Sequence, residues 1–200
     1  MNKLTHITPV MLICIGLLVP TNGCGSKSPS SIQDFNCLTS GSPLINIPGT
    51  PNVRISTSYC EDYMFKIDKM STVLHMFVDQ YAKEFEMSES VVWMHIADLE
   101  IEVSAIPKIV QSVFDINGKH LPKAAVTGLA LSPSKIWVEV KTNQIWSSSL
   151  AHELVHIIIW RQNGGVHADP DHEGDKYSGW TKQHTQFIKD FNRGLLDKDI

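Results

Sequence analysis

The segment from Leu150 to Trp160 carries apolar side chains on nearly every side of a helix: Leu150, Leu154, Val155, Ile157, Ile158, Ile159 and Trp160. A helix of that kind has to run through the middle of a domain, because it offers water no broad polar face. Ser147, Ser148 and Ser149 can each cap its start, and Asn163-Gly164-Gly165 stops it. The pattern therefore predicts a helix ending at about Gln162. One stripe breaks the apolar surface, and it bears His152 and His156, with Glu153 beside the first. Polar side chains on a buried helix are costly unless something satisfies them.

Residues four apart on a helix lie one above the other, so His152 and His156 present two imidazoles to one point. That spacing suits two ligands of a tetrahedral Zn²⁺ ion. Glu153 projects beside the metal rather than at it. There it can take a proton from water that zinc has acidified, while the metal polarises the carbonyl under attack.

His152-Glu153-Leu154-Val155-His156 resembles the HExxH motif of the zincin superfamily of metallopeptidases, and the similarity extends from roughly Ala124 to the C-terminus. The resemblance implies zinc held by both histidines, Glu153 as general base, and hydrolysis of peptide bonds. It also implies an α+β fold in which a small mixed β-sheet packs on the central metal-binding helix, followed by a C-terminal helix. In zincins the sheet's edge strand binds extended substrate, and Ile136 to Val140 (IWVEV) is the expected counterpart. The metzincin pattern would put Gly at 159 and His at 162, where this chain has Ile159 and Gln162, so it is not a metzincin. Gluzincins take a third ligand from Glu on a later helix, and no Glu follows Glu173.

The third ligand is therefore expected from the loop Val166 to Tyr177. His172 is favoured, within a stretch (GVHADPDHEG) similar to a loop of uncharacterised bacterial zincin-like lipoproteins. His167, Asp169 and Asp171 are the alternatives, and an Asp that does not ligate could orient a histidine. Tyr177 and His184 are secondary candidates for stabilising an oxyanion. The plainer reading leaves His184 on the surface and makes Trp180 an anchor for the last helix. His75, His95 and His120 lack a partner at ligand spacing and read as structural or surface residues.

At the N-terminus Lys3 precedes a ten-residue apolar stretch, Val10 to Val19, ended by Pro20. A bilayer span needs about 20 apolar residues, so this reads as an export signal over residues 1–23. Thr21-Asn22-Gly23-Cys24 resembles a bacterial lipobox, which implies lipidation of Cys24 and a membrane anchor at the cell envelope. Thr21 stands where Leu is usual, which leaves cleavage and secretion as the alternative. Residues 24–35 read as a flexible tether and 36–200 as one domain. A formal charge of -4 excludes a nucleic-acid binder, since no basic excess exists to neutralise phosphates. Oligomeric state is not legible.

Residues 32–58 are broken by Pro43, Pro48 and Pro51 and read as loops with one or two short strands. Asp68 to Met87 has a helical apolar period. Val91–His95, Glu100–Ile106, Ile109–Phe114, Ala124–Leu131 and Ile136–Val140 read as strands, with an Asn117-Gly118 turn. Thr181–Leu196 reads as an amphipathic helix.

The expected partner of the site is a peptide or protein substrate, cell-wall peptide included. A rival reading is a lipoprotein that keeps zinc as a structural staple and binds a partner at the envelope. With Cys14 lost in the signal and Cys24 lipidated, Cys37 and Cys60 remain and are expected to form a disulfide. The mature protein should gain about two daltons on reduction in mass spectrometry, and an unchanged mass would mean free thiols.

Overall fold

The computed structural model describes residues 44–57, 67–105, 108–114, 120–140, 144–164, 179–198 and 200. The stretches read from the sequence as signal and tether, Cys24, Cys37, Cys60, Asn117-Gly118, and His167, Asp169, Asp171, His172 and Tyr177 lie outside the described residues. The described elements are β1 (Ile45–Asn46), β2 (Arg54–Thr57), α1 (Ile67–Glu84), α2 (Glu89–Ile96), β3 (Glu100–Ser104), β4 (Lys108–Phe114), β5 (His120–Val126), β6 (Gly128–Ser132), β7 (Lys135–Glu139), α3 (Leu150–Gln162) and α4 (Lys182–Leu196). The fold is mixed α+β. No helix among the described residues is long and apolar enough to cross a membrane.

Alternation of side chains along a strand decides which residues face the helices. Ile55, Ile101, Val103, Ile136 and Val138 all join the main buried core, while Arg54, Glu100, Glu102 and Lys135 point away. The five-stranded sheet has the order β1-β2-β3-β7-β6. Its three middle strands are parallel, Arg54 lying opposite Glu100 and Glu100 opposite Lys135. β1 and β6, at the two ends, run antiparallel to their neighbours. β4 and β5 form a separate antiparallel pair. Lys108, at the start of β4, reaches the second face of the sheet, 4.7 Å from the centre of the Trp137 ring and 3.3 Å from Glu102 Oε1.

Three strand expectations are corrected. Val91–His95 is helical and belongs to α2: the Ser88 side chain accepts a hydrogen bond from the Val91 N–H, and Val92 and Ile96 bury one face four residues apart. A short apolar run satisfies both periods, and the cap decides between them. Ala124–Leu131 is not one strand but the end of β5 and most of β6, broken at Thr127 and placed in two sheets. The IWVEV strand, β7, is not the sheet's edge. It lies between β3 and β6 with Ile136, Trp137, Val138 and Glu139 all buried, which fits a run apolar on both faces.

The last helix forms over Lys182–Leu196, as its periodicity indicates, and packs Phe187 and Phe191 against Phe77 of α1 at 5.5 Å between ring centres. Its first turn is tied by His184, whose Nδ1 accepts from the Thr181 N–H at 3.1 Å. With Nδ1 an acceptor, the neutral ring carries its proton on Nε2, which donates to Tyr81 Oη at 3.1 Å. His184 is thus buried in the α1–α4 interface rather than lying on the surface, and burial lowers its pKa to about 4. The unfolded chain takes up that proton near pH 6.5 while the native ring refuses it down to about 4, so this group's effect is to lose stability as pH falls through that window. Urea midpoints should drop from pH 7 to pH 4.5, and His184→Gln should flatten that dependence; an unchanged slope would contradict it.

Candidate metal centre

Helix α3 is the innermost of the helices. It packs against β6 and β7 on one side and against α2 and α4 on others, and every residue from Leu150 to Ile159 except His152 is fully buried. Its ends match the sequence reading, with Asn163 as C-cap and Gly164 at φ 68°. Ser148 Oγ accepts from the Leu150 N–H at 3.3 Å and donates to Ile145 O at 2.6 Å. Ser149 turns elsewhere and pairs with Thr127 Oγ1 at 2.6 Å. At the other end Arg161 donates to the carbonyls of Pro133 and Ala97, both at 2.7 Å. These bonds fix the helix along its axis against the β6–β7 turn and α2.

The spacing of four does what helix geometry demands. His152 Nε2 and His156 Nε2 lie 3.0 Å apart with ring centres at 4.8 Å, so both imidazoles point to one place. That separation lies within the span of two bonds of about 2.1 Å to a single zinc ion. It also allows a hydrogen bond between the rings when one carries a proton on Nε2 and the other does not. His156 is fully buried and His152 partly exposed, so the pair is reached from the His152 side.

Glu153 is completely buried, and neither of its carboxyl oxygens has a hydrogen-bond partner among the described residues. Burial pushes its pKa well above the ordinary carboxylate range. The Ala130 backbone N–H pulls weakly the other way without reaching hydrogen-bond geometry. An orphaned carboxyl of this kind is rare in a folded chain and suits a group held for chemistry or for an ion.

Two features beside the motif come from tertiary contacts. Gly128, the first residue of β6, faces Glu153: a Cβ there would run into Glu153 Oε1 and would lie 2.6 Å from Ser149 Cβ. The strand can pass this close to the carboxyl because residue 128 has no side chain. Trp180 lies against both histidines, with ring centres 4.9 Å from His152 and 4.6 Å from His156. An isolated Gly in an apolar strand run is itself a signal of close backbone approach. Trp180 carries no comparable mark in the sequence.

His152 and His156 are therefore brought together, while the Glu153 carboxyl faces Gly128 at the start of β6. His172 and its alternatives fall outside the described residues, and among the described residues no group of three metal-ligating side chains forms. His184, a candidate for the oxyanion, has both ring nitrogens engaged by Thr181 and Tyr81 and sits behind Trp180, with 6.0 Å between the ring centres. His75 is exposed and packs on Trp93 with 5.0 Å between ring centres. Gly128→Ala should cost about 1–3 kcal/mol in urea unfolding, since the added Cβ would overlap the buried side chains of Glu153 and Ser149; a neutral substitution would show that the contact relaxes freely.

Compared with known proteins, the chain matches no family model, no curated protein and no solved structure.

Proposed function

We propose that this chain is a zinc-dependent hydrolase of the peptidase kind, with His152 and His156 holding the metal and Glu153 as general base. The observation that carries it is the convergence of the two Nε2 atoms, 3.0 Å apart, on a helix that also holds a fully buried Glu153 whose oxygens lack hydrogen-bond partners among the described residues. The donor set fits zinc, which accepts neutral imidazoles readily. One more ligand would come from the 166–177 loop, with His172 favoured. Zinc, when bound, supplies Lewis acidity towards water and towards a substrate carbonyl.

The chain's own residues do the rest. Glu153, when ionised, can take a proton from water and return it to a leaving amine. His156, buried among apolar residues, keeps bulk water from the inner side of the pair. β6 is the outermost strand beside α3, antiparallel to β7, so an extended peptide could pair with its backbone close to Glu153. This support for a zincin-like arrangement moves the substrate strand from β7 to β6. The substrate class is then a peptide or protein, cell-wall peptides included, met outside the cytoplasm by a chain exported through residues 1–23 and anchored at Cys24.

Purified protein should carry about one zinc per chain, and His152→Ala or His156→Ala should lower metal affinity by at least about 100-fold. Glu153→Gln should keep the metal and lose hydrolysis of an unfolded protein substrate by about 10²–10⁴-fold. A wild-type chain without zinc would overturn the reading. A zinc-loaded chain that is inert even as wild type would favour the structural staple instead.

A further inference from the structure

We propose that Trp180 is a positioning residue for the metal centre, its indole ring setting the planes of both imidazoles; the inference rests on the metal reading above. Helix geometry sets where the Cβ atoms of His152 and His156 lie, but rotation about the bond to a histidine ring is broad and roughly two-fold. Something beside the rings has to select their planes. Trp180 contacts both, with ring centres at 4.9 and 4.6 Å and interplanar angles of 42° and 37°.

The indole is itself held from two directions. Its Nε1–H donates to Thr185 Oγ1 at 3.0 Å, in the first turn of α4, and the residue is only 4% exposed. On the other side Gly179 presses against α3. With φ +153°, a Cβ at 179 would come 2.7 Å from Ile159 Cγ2, so only glycine lets the main chain run this close to the helix. The next residue is thereby delivered to the flank of His156. Thr181 then turns the chain into α4, its N–H bound to His184 Nδ1.

Trp has no acceptor nitrogen and cannot ligate zinc, so any effect on the metal passes through the histidines. Partners that orient a ligating histidine typically change metal affinity by about 10–100-fold when removed. Simple core filling makes a different prediction, because leucine would serve as well as tryptophan.

The test titrates the full apo chain with Co²⁺, whose visible absorption bands report the arrangement of the ligands. Trp180→Phe keeps a flat aromatic face and is expected to bind within about threefold of wild type with the same bands. Trp180→Leu keeps apolar volume, and when folded by circular dichroism is expected to bind about 10–100-fold more weakly with shifted bands. Thr185→Val removes the indole's acceptor and leaves the core intact, and should weaken binding in the same sense by a smaller step. Wild-type affinity and bands in both Trp180→Leu and Thr185→Val would overturn the positioning role while leaving the metal centre standing. A wild-type chain that takes up no Co²⁺ would overturn the metal reading, and the positioning role with it.

Discussion

Glu153 and His156 are fully buried on a helix whose other inward residues are Leu, Ile, Val and Ala. Carboxyl and imidazole groups placed there lose hydration, and an unpartnered polar group in an apolar surround costs roughly 2–7 kcal/mol. The apolar residues of α3 outweigh that cost: Leu154, Ile157, Ile158 and Ile159 are each wholly buried, and each contributes about 1.5–3 kcal/mol relative to exposure. The hydrophobic packing of α3 is thus what allows the Glu153 carboxyl to be held with no hydrogen-bond partner among the described residues.

That packing also determines the walls of the site. α3 cannot be buried on all sides unless strands, other helices and loops close around it. β6 closes one side and can do so next to Glu153 only through Gly128. The Gly179-Trp180 corner closes another and brings an indole against both histidines. In both places a glycine permits the approach, once for a strand and once for a loop. Arg161 holds the far end of the same helix by bonds to Pro133 and Ala97, joining the β6–β7 turn to α2. The site is a by-product of how one helix is enclosed.

The long periodic segments were the legible ones. α1 and α4 follow apolar spacings of three and four over a dozen residues or more, α3 is apolar on nearly every side, and the ends of α3 and α4 agree with their caps to within a residue or two. The short runs were not legible, because five or six apolar residues satisfy helix and strand alike. Val91–His95 became helix through a Ser88 cap and two buried positions. Ala124–Leu131 was divided at Thr127, whose side chain pairs with Ser149 and whose carbonyl accepts from the Glu139 N–H. His184 looked like a surface residue or an oxyanion donor, yet its place in the first turn of α4 draws it inward to Tyr81.

By itself the sequence determined that two imidazoles would converge, since a spacing of four on any α-helix brings His152 and His156 to one point. It also determined that this helix would be buried, because its composition leaves no face for water. The tertiary structure alone decided which strand borders the site, since strand order depends on pairing between distant segments and both β6 and β7 are apolar enough for either place. It alone decided that Trp180 would stand against the two imidazoles. That contact joins residues from 152 to 180 through the packing of α3 and α4, and no local pattern in the chain encodes such an approach.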